Sequence, residues 1–265
     1  MKISVCVDAL FNGKDFVESL GAIKKAGIDA IEFWSWWDKD LDKVKKAKEE
    51  LGIEIIAFCT KMVSLVDASK RTEYLVGLRE SIKVAKALDC KTLISQVGNE
   101  LYNSTEIEQH ENLVEGLRAC APILEEEGIT LVIEPLNILV DHMGYYLSRS
   151  KEAFKIIDEV GRPNVKVLYD IYHQQITEGH LISTITSNID KIGHFHAAGN
   201  PGRGELTTGE INYIEIFRAI DAGGYKGFAG LEYFPKQNAV DGLKSLLHII
   251  NAEVGLKGVD ARCTD

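Results

Sequence analysis

Four side chains of metal-ligating type recur through the second half of this 265-residue sequence: Glu134, Asp170, His196 and Glu232. Each stands at the end of a short apolar run: ITLVIE, VKVLYD, IGHFHA and GFAGLE. Their separations of 36, 26 and 36 residues assign each to its own structural unit. Taken singly, an acidic residue closing such a run is commonly a helix N-cap or a loop ion pair. Four in succession suggest a shared site. Three carboxylates and one imidazole form a hard, mostly oxygen-donor set whose mutual repulsion a divalent cation relieves. Mn²⁺ or Mg²⁺ suits such donors best, and Co²⁺ or Zn²⁺ could also serve.

The third run carries more chemistry. His194 and His196 are two residues apart, so on a strand they share one face, with His194 the deeper of the two and read as a supporting or packing residue. The strand then opens into Gly199-Asn200-Pro201-Gly202-Arg203-Gly204, a loop by its turn dipeptides and glycines. The Arg203 guanidinium there would suit a substrate carboxylate or phosphate, whose two oxygens match its fork. His173, three residues beyond Asp170, reads either as a loop histidine or as a substrate contact. Trp34, Trp36 and Trp37 could wall a pocket, join a subunit contact or simply pack, and Tyr145 and Tyr146 read the same way. Lys61 reads as a solvated loop lysine.

The elements that must position these groups alternate regularly. Apolar runs are expected as strands at Ile3–Asp8, Ala30–Trp34, Ile53–Cys59, Thr92–Gln96, Ile129–Glu134, Val165–Asp170, Ile192–Ala197 and Gly227–Glu232. Between and after them, helical spacing predicts Asp15–Ala26, Asp38–Leu51, Arg71–Leu88, Glu106–Glu127, Ser148–Val160 with Ser148 as N-cap, a weaker Leu181–Ser187, Ile214–Ala222 and Ala239–Val254. The last eight or so residues read as a loose tail. Continuous apolar strands linked by helices imply a parallel sheet buried on both faces. An open doubly wound sheet should begin with a G-x-G-x-x-G loop after the first strand, and none is there. Eight units also close a barrel, so the expected fold is α/β, a (βα)8 TIM barrel spanning residues 1–265 as one domain. Its chemistry would collect at the C-terminal ends of the strands.

Composition narrows the partners. With 40 acidic against 30 basic side chains, the formal charge is −10, which opposes binding to a polyanion. Nucleic acid is therefore not expected as a partner. No run reaches the length of a membrane span, and the first residues lack a signal-peptide pattern. The five cysteines (6, 59, 90, 120 and 263) form no CxxC pair and suit reduced thiols, so a cytoplasmic protein is expected.

The run GNPGRGEL at 199–206, GEINY at 209–213 and GLEYFP at 230–235 resembles the hydroxypyruvate isomerase family, part of the xylose-isomerase-like barrels of sugar isomerases and epimerases. KAGIDAIEF at 25–33 and EPLN at 134–137 fit as well, and the resemblance spans essentially the whole chain. It implies that Glu134, Asp170, His196 and Glu232 hold one divalent metal ion. Glu134 and Glu232 would also be the proton-transferring pair, and His173 and Arg203 would bind substrate. The implied reaction is an aldose–ketose interconversion of a small hydroxy-carbonyl compound, of the hydroxypyruvate and tartronate semialdehyde type, through an enediolate. Two positions depart from the pattern. Hydroxypyruvate isomerases tend to carry glutamine where this chain has His196, whereas ketose 3-epimerases carry histidine. Some epimerases have a further glutamate where this chain has Val140. A ketose or ketose-phosphate 3-epimerase is the alternative, an inosose dehydratase the third, and a phosphodiesterase or a non-catalytic binding barrel lie further off. A homo-oligomer remains open.

Overall fold

The structure is a computed structural model and describes residues 1–255. The expected tail and Cys263 lie outside the described residues. Strand β1 (Lys2–Cys6) runs directly into the short helix α1 (Val7–Leu10), and α2 (Phe16–Lys25) follows. Then come β2 (Ala30–Phe33), α3 (Leu41–Leu51), β3 (Glu54–Cys59), α4 (Arg71–Leu88), β4 (Thr92–Ser95), α5 (Glu106–Glu127), β5 (Thr130–Ile133) and α6 (Ser150–Val160). The last part holds β6 (Val165–Asp170), α7 (Ile171–Thr177), α8 (Leu181–Ser187), β7 (Ile192–Ala197), α9 (Tyr213–Ala222), β8 (Phe228–Leu231) and α10 (Ala239–Val254). The strands pair in chain order, all parallel, and β8 pairs with β1 to close the barrel. Among the described residues, no helix is long and apolar enough to cross a membrane.

Side-chain alternation along each strand sorts residues between two cores. On β6, Val167 and Tyr169 join the large core under the helices, while Leu168 lies in the small core inside the barrel with Ala57, Cys59, Ile94 and Val132. The same parity turns Asp170 inward. On β7, Phe195 and Ala197 join the outer core, so His194 and His196 turn inward. A register shift separates the pair Val167–Ile192 from Leu168–His194, leaving Gly193 as the extra residue of a bulge below the two histidines. On β2, Ile31 and Phe33 pack outward, and Glu32 between them faces the interior. The four described cysteines are buried and free.

Several expected boundaries shift by one to three residues, and two of the shifts have a clear physical cause. Asp8 belongs to α1 rather than to β1, and its carboxylate accepts the Trp34 backbone N–H at 2.7 Å and pairs with Lys39 at 3.0 Å. Ser148 is not an N-cap. Helix α6 begins at Ser150 with Arg149 in the cap position and no side-chain cap. Its first N–H is met instead from α7 and its C-cap, where Gln174 Oε1 accepts from Ser150 N at 3.2 Å and Glu178 Oε1 at 3.3 Å. A tertiary partner replaces the local one. Helix α5, by contrast, carries a full capping box between Thr105 and Glu108. Thr105→Ala should therefore cost about 1 kcal/mol of stability, and Ser148→Ala no more than about 0.5 kcal/mol, in denaturant unfolding of the two variants. Equal losses would remove the distinction.

Candidate active site

Asp170 closes β6, His196 is the second-to-last residue of β7, and Glu134 and Glu232 directly follow β5 and β8. All four are buried, and one donor atom from each lies within 4.8 Å of those of the others. The barrel thus brings together the four residues singled out from the sequence. His196 Nδ1 faces Glu134 Oε1 at 3.3 Å and Glu232 Oε2 at 3.5 Å.

Asp170 does two jobs with its two oxygens. Oδ1 caps α7, accepting the backbone N–H groups of Tyr172 at 2.7 Å and His173 at 3.1 Å. Oδ2 is left for the site, 3.5 Å from His173 Nε2 and 3.9 Å from Arg203 Nη2. His173 is therefore a helix residue, not a loop one, and its ring is fully buried. Asn137 fixes its tautomer. The Asn137 Oδ1 accepts from Val140 N at 2.9 Å and Asp141 N at 3.2 Å, which directs its Nδ2 at Asp141 Oδ2 (2.7 Å) and His173 Nδ1 (2.6 Å). Nδ1 accepts, so the ring proton sits on Nε2, which has no hydrogen-bond partner. Burial, reinforced by Arg203, pushes the His173 pKa down to about 3. It is a neutral donor aimed into the site.

Arg203 stands over the carboxylates of Glu232 and Asp170. Its Nη2 donates to Glu232 Oε2 at 2.5 Å, and the guanidinium lies over the Tyr172 and Phe234 rings at 5.4 and 6.0 Å. The loop that carries it is closed by Gly199 N on Gly204 O (2.7 Å) and Phe234 N on Arg203 O (2.8 Å). Gly209 braces it from behind with φ +96, and any Cβ there would lie 2.2 Å from Asn200 O. Trp34, one of the three tryptophans, reaches the site, its Nε1 donating to Glu232 Oε1 at 2.5 Å. Trp36 binds Ser81 Oγ at 3.2 Å and stacks edge-on with the half-exposed Trp37. Tyr145 is buried, its hydroxyl held between Val97 N and Glu134 O, while the Tyr146 hydroxyl donates to Glu106 O. Lys61 pairs with Glu80 on the outside.

Sequence reasoning missed Glu32, Asn137 and Asp141. Glu32 lies within KAGIDAIEF but reads as one polar residue in an apolar run. Only the register shows it inside the barrel, with Oε2 2.6 Å from His194 Nε2 and 3.3 Å from His196 Nε2. Asn137 could have been noticed in EPLN.

Charge governs this site. Burial pushes the Asp170 carboxyl up, against Arg203 and His196. Burial presses on Glu232 too, but His196 and Arg203 hold it well below the usual carboxylate range. Glu232 receives one N–H donor on each oxygen, from Trp34 and Arg203, whereas Asp170 receives its two backbone donors on Oδ1 alone. Burial would lower His196, yet Glu232 and Glu32 hold it well above its ordinary value. A site of three convergent carboxylates and an imidazole Nδ1 has the donor chemistry of a divalent cation site.

With this geometry in hand, the relatives become informative. A family model described as a xylose isomerase-like TIM barrel matches residues 20–249. The hydroxypyruvate isomerase of Escherichia coli (strain K12) is 34% identical over 253 residues, covering 92% of this chain and 97% of that one. The 2-oxo-tetronate isomerase of Cupriavidus necator is 40% identical over 130 residues, 49% of this chain and 50% of that one. A solved structure described as an AP endonuclease, family 2, from Brucella melitensis superposes with a TM-score of 0.88 at 28% identity, covering 93% of this chain and 98% of that one. The chain belongs to the xylose isomerase-like TIM barrel family. Within that family it groups with the hydroxypyruvate isomerases, and it is an isomerase.

If the four residues form one metal site, Asp170→Ala should lower divalent-ion affinity severely, since three donors remain and the cap of α7 is lost. Metal analysis of dialysed wild type and variant reads this directly. Equal stoichiometry in both would remove Asp170 from the ligand set.

Proposed function

We propose that this isomerase interconverts a small hydroxy-carbonyl substrate of the hydroxypyruvate and tartronate semialdehyde type by moving a proton between adjacent carbons. Glu134, Asp170, His196 and Glu232 would hold one divalent ion, Mn²⁺ or Mg²⁺ by donor type. The observation that carries the reading is the convergence of these four donors within 4.8 Å, with a glutamate contributed from each of two well-separated strands. The substrate class rests on the relatives named above. A bound cation supplies the polarisation of carbonyl and hydroxyl oxygens that acidifies the C–H between them.

The chain's own groups do the rest. Glu232 is kept ionised and fixed in direction by Trp34 on one oxygen and Arg203 on the other, the state a base requires. Glu134, three strands away around the barrel, approaches the same space from another side. One carboxylate takes the proton from the first carbon, and the other delivers a proton to its neighbour through an enediolate. His173 offers its Nε2–H to a substrate oxygen. Arg203, already over Glu232, would meet the polar part of the substrate close to the reacting carbons. The rings of Tyr172 and Phe234 beneath it keep the guanidinium in place.

The imidazole at position 196 favours a second reading, 3-epimerisation of a ketose, in which both glutamates act on one carbon from opposite faces. Phosphodiester cleavage is disfavoured by the charge of −10 and by Asp8, which is engaged with Trp34 and Lys39.

Assays with hydroxypyruvate, ketoses and ketose phosphates, after chelation and Mn²⁺ addition, separate the two readings. In D₂O, wild type should place deuterium at the substrate carbon. Glu232→Gln keeps a neutral oxygen ligand, so metal should remain while turnover falls about 10²-fold or more. If Glu134→Gln and Glu232→Gln both stay fully active with metal bound, the two-base mechanism is wrong. Asn137→Ala frees the His173 ring and should raise KM more than it lowers kcat. A selective loss of kcat would place His173 at the transition state instead.

A further inference from the structure

Beneath the four converging donors, the barrel interior holds a second polar layer that the proposed chemistry does not use: Ser4 of β1, Glu32 of β2, His194 of β7 and Gly230 of β8. Glu32 is buried to 1% exposure, His194 likewise. Both histidine Nε2 atoms point at one oxygen, Glu32 Oε2, at 2.6 Å for His194 and 3.3 Å for His196. The other oxygen accepts from Ser4 Oγ at 3.4 Å. Gly230 leaves the room for this carboxylate, since a Cβ there would lie 1.6 Å from Glu32 Oε1 and 2.6 Å from its Cδ. Three strands thus adapt to one buried anion. A carboxylate enclosed this way in a barrel floor is costly unless something needs it there.

We infer that Glu32 is a positioning residue for His196, holding the far side of its ring so that Nδ1 presents its lone pair to the space between Glu134 and Glu232. This rests on the reading of His196 as a metal ligand. What an acid supplies here and an amide does not is charge. His194 and His196 both present Nε2 to the same oxygen; an amide oxygen could accept the same two bonds, turning its NH2 to Ser4 Oγ, but only the carboxylate sets a full negative charge against the two rings. With Nε2–H committed downward, the ring cannot turn over, and Nδ1 stays 3.3 Å from Glu134 Oε1 and 3.5 Å from Glu232 Oε2. A carboxylate on the far nitrogen also raises the donor strength of the near one. The trio Glu32, His194 and His196 is close enough to hold a cation itself, but the direct 2.6 Å bond between Glu32 and His194 already satisfies both.

The test is Glu32→Gln, alone and combined with His196→Gln, with metal affinity measured by calorimetry on metal-free protein. If Glu32 acts through the imidazole, Glu32→Gln should weaken binding about 10- to 100-fold with His196 present. In the His196→Gln background the same change should have almost no effect, a coupling that general loss of core packing would not give. Gly230→Ala, which displaces the carboxylate without removing it, should weaken binding in the same direction and serves if Glu32→Gln folds poorly. A second readout needs no metal: with ¹⁵N-histidine labelling, wild type should show two slowly exchanging downfield imidazole N–H resonances, and Glu32→Gln should shift both. Unchanged resonances and equal losses in both backgrounds would overturn the role of Glu32. Unchanged wild-type affinity on replacing His196 alone would instead sink the ligand reading, leaving the resonances to judge Glu32.

Discussion

Four carboxylates lie buried in the upper half of one barrel: Glu32, Glu134, Asp170 and Glu232. Their mutual repulsion is the constraint that the surrounding structure answers. In water, charges at such distances interact weakly, but in a partly dry interior each interaction is several times stronger. Parallel strands make the arrangement affordable, since each acid rides on its own strand and the carboxylates converge only at their tips. Every compensating group is placed against a particular oxygen. Arg203 and Trp34 divide the two oxygens of Glu232, the α7 N-terminus takes one oxygen of Asp170, and two imidazoles take one oxygen of Glu32. Asp170 Oδ2 is left facing the shared space, 3.5 Å from His173 Nε2 and 3.9 Å from Arg203 Nη2.

The supporting loops follow from the same demand. Arg203 is the only guanidinium in the site among the described residues, and it comes from a loop whose backbone must bend sharply to bring it over Glu232. Its own φ of +50 lies in the left-handed region, and Gly209 makes the close approach to Asn200 that holds the turn. Tyr213 anchors the start of the loop, its hydroxyl bonded to both Ala198 N and Ala198 O at 3.0 and 2.7 Å. The aromatic faces of Tyr172 and Phe234 then confine the guanidinium laterally. The glycine-rich sequence at 199–209 is therefore the mechanical condition for a buried cation, rather than a flexible rim.

Much of this was legible before the fold was known, and the reasons are physical. Period-two spacing puts His194 and His196 on one strand face, strand-end position sets Asp170 among the site residues, and the count of eight strand–helix units closes the barrel. Glu134 and Glu232 are expected at strand ends and lie one residue beyond them, although Glu232 N still bonds Ala197 O of β7 at 3.0 Å. What escaped depends on contacts between distant segments. Helix α7 is too short for a helical period to show and follows its strand without a break, so a loop position stays open for His173 in the sequence, beside its reading as a substrate contact. The start of α6 is satisfied from α7, so the local serine signal at Ser148 misled. Glu32 escaped because a single acid within an apolar run carries no sign of direction, and the bulge that aligns β7 with it is a property of pairing.

The three histidines of the site illustrate how one residue type is divided among tasks by its neighbours. His173 meets a donor at Nδ1 and is driven neutral by burial and Arg203, so it can only give a proton in a hydrogen bond at Nε2. His196 meets carboxylates at both nitrogens and is held above its ordinary pKa by Glu232 and Glu32 despite burial, so its Nδ1 is where a cation would displace a proton. His194 meets only Glu32, and that contact orients the carboxylate toward His196. The backbone supplies the positions, but the partner atom at each ring nitrogen decides the role. In this barrel the partner is in every case a side chain from a different strand or loop. The division of labour among the histidines is thus a consequence of closure, available only once β2, β5 and β7 have met around one interior.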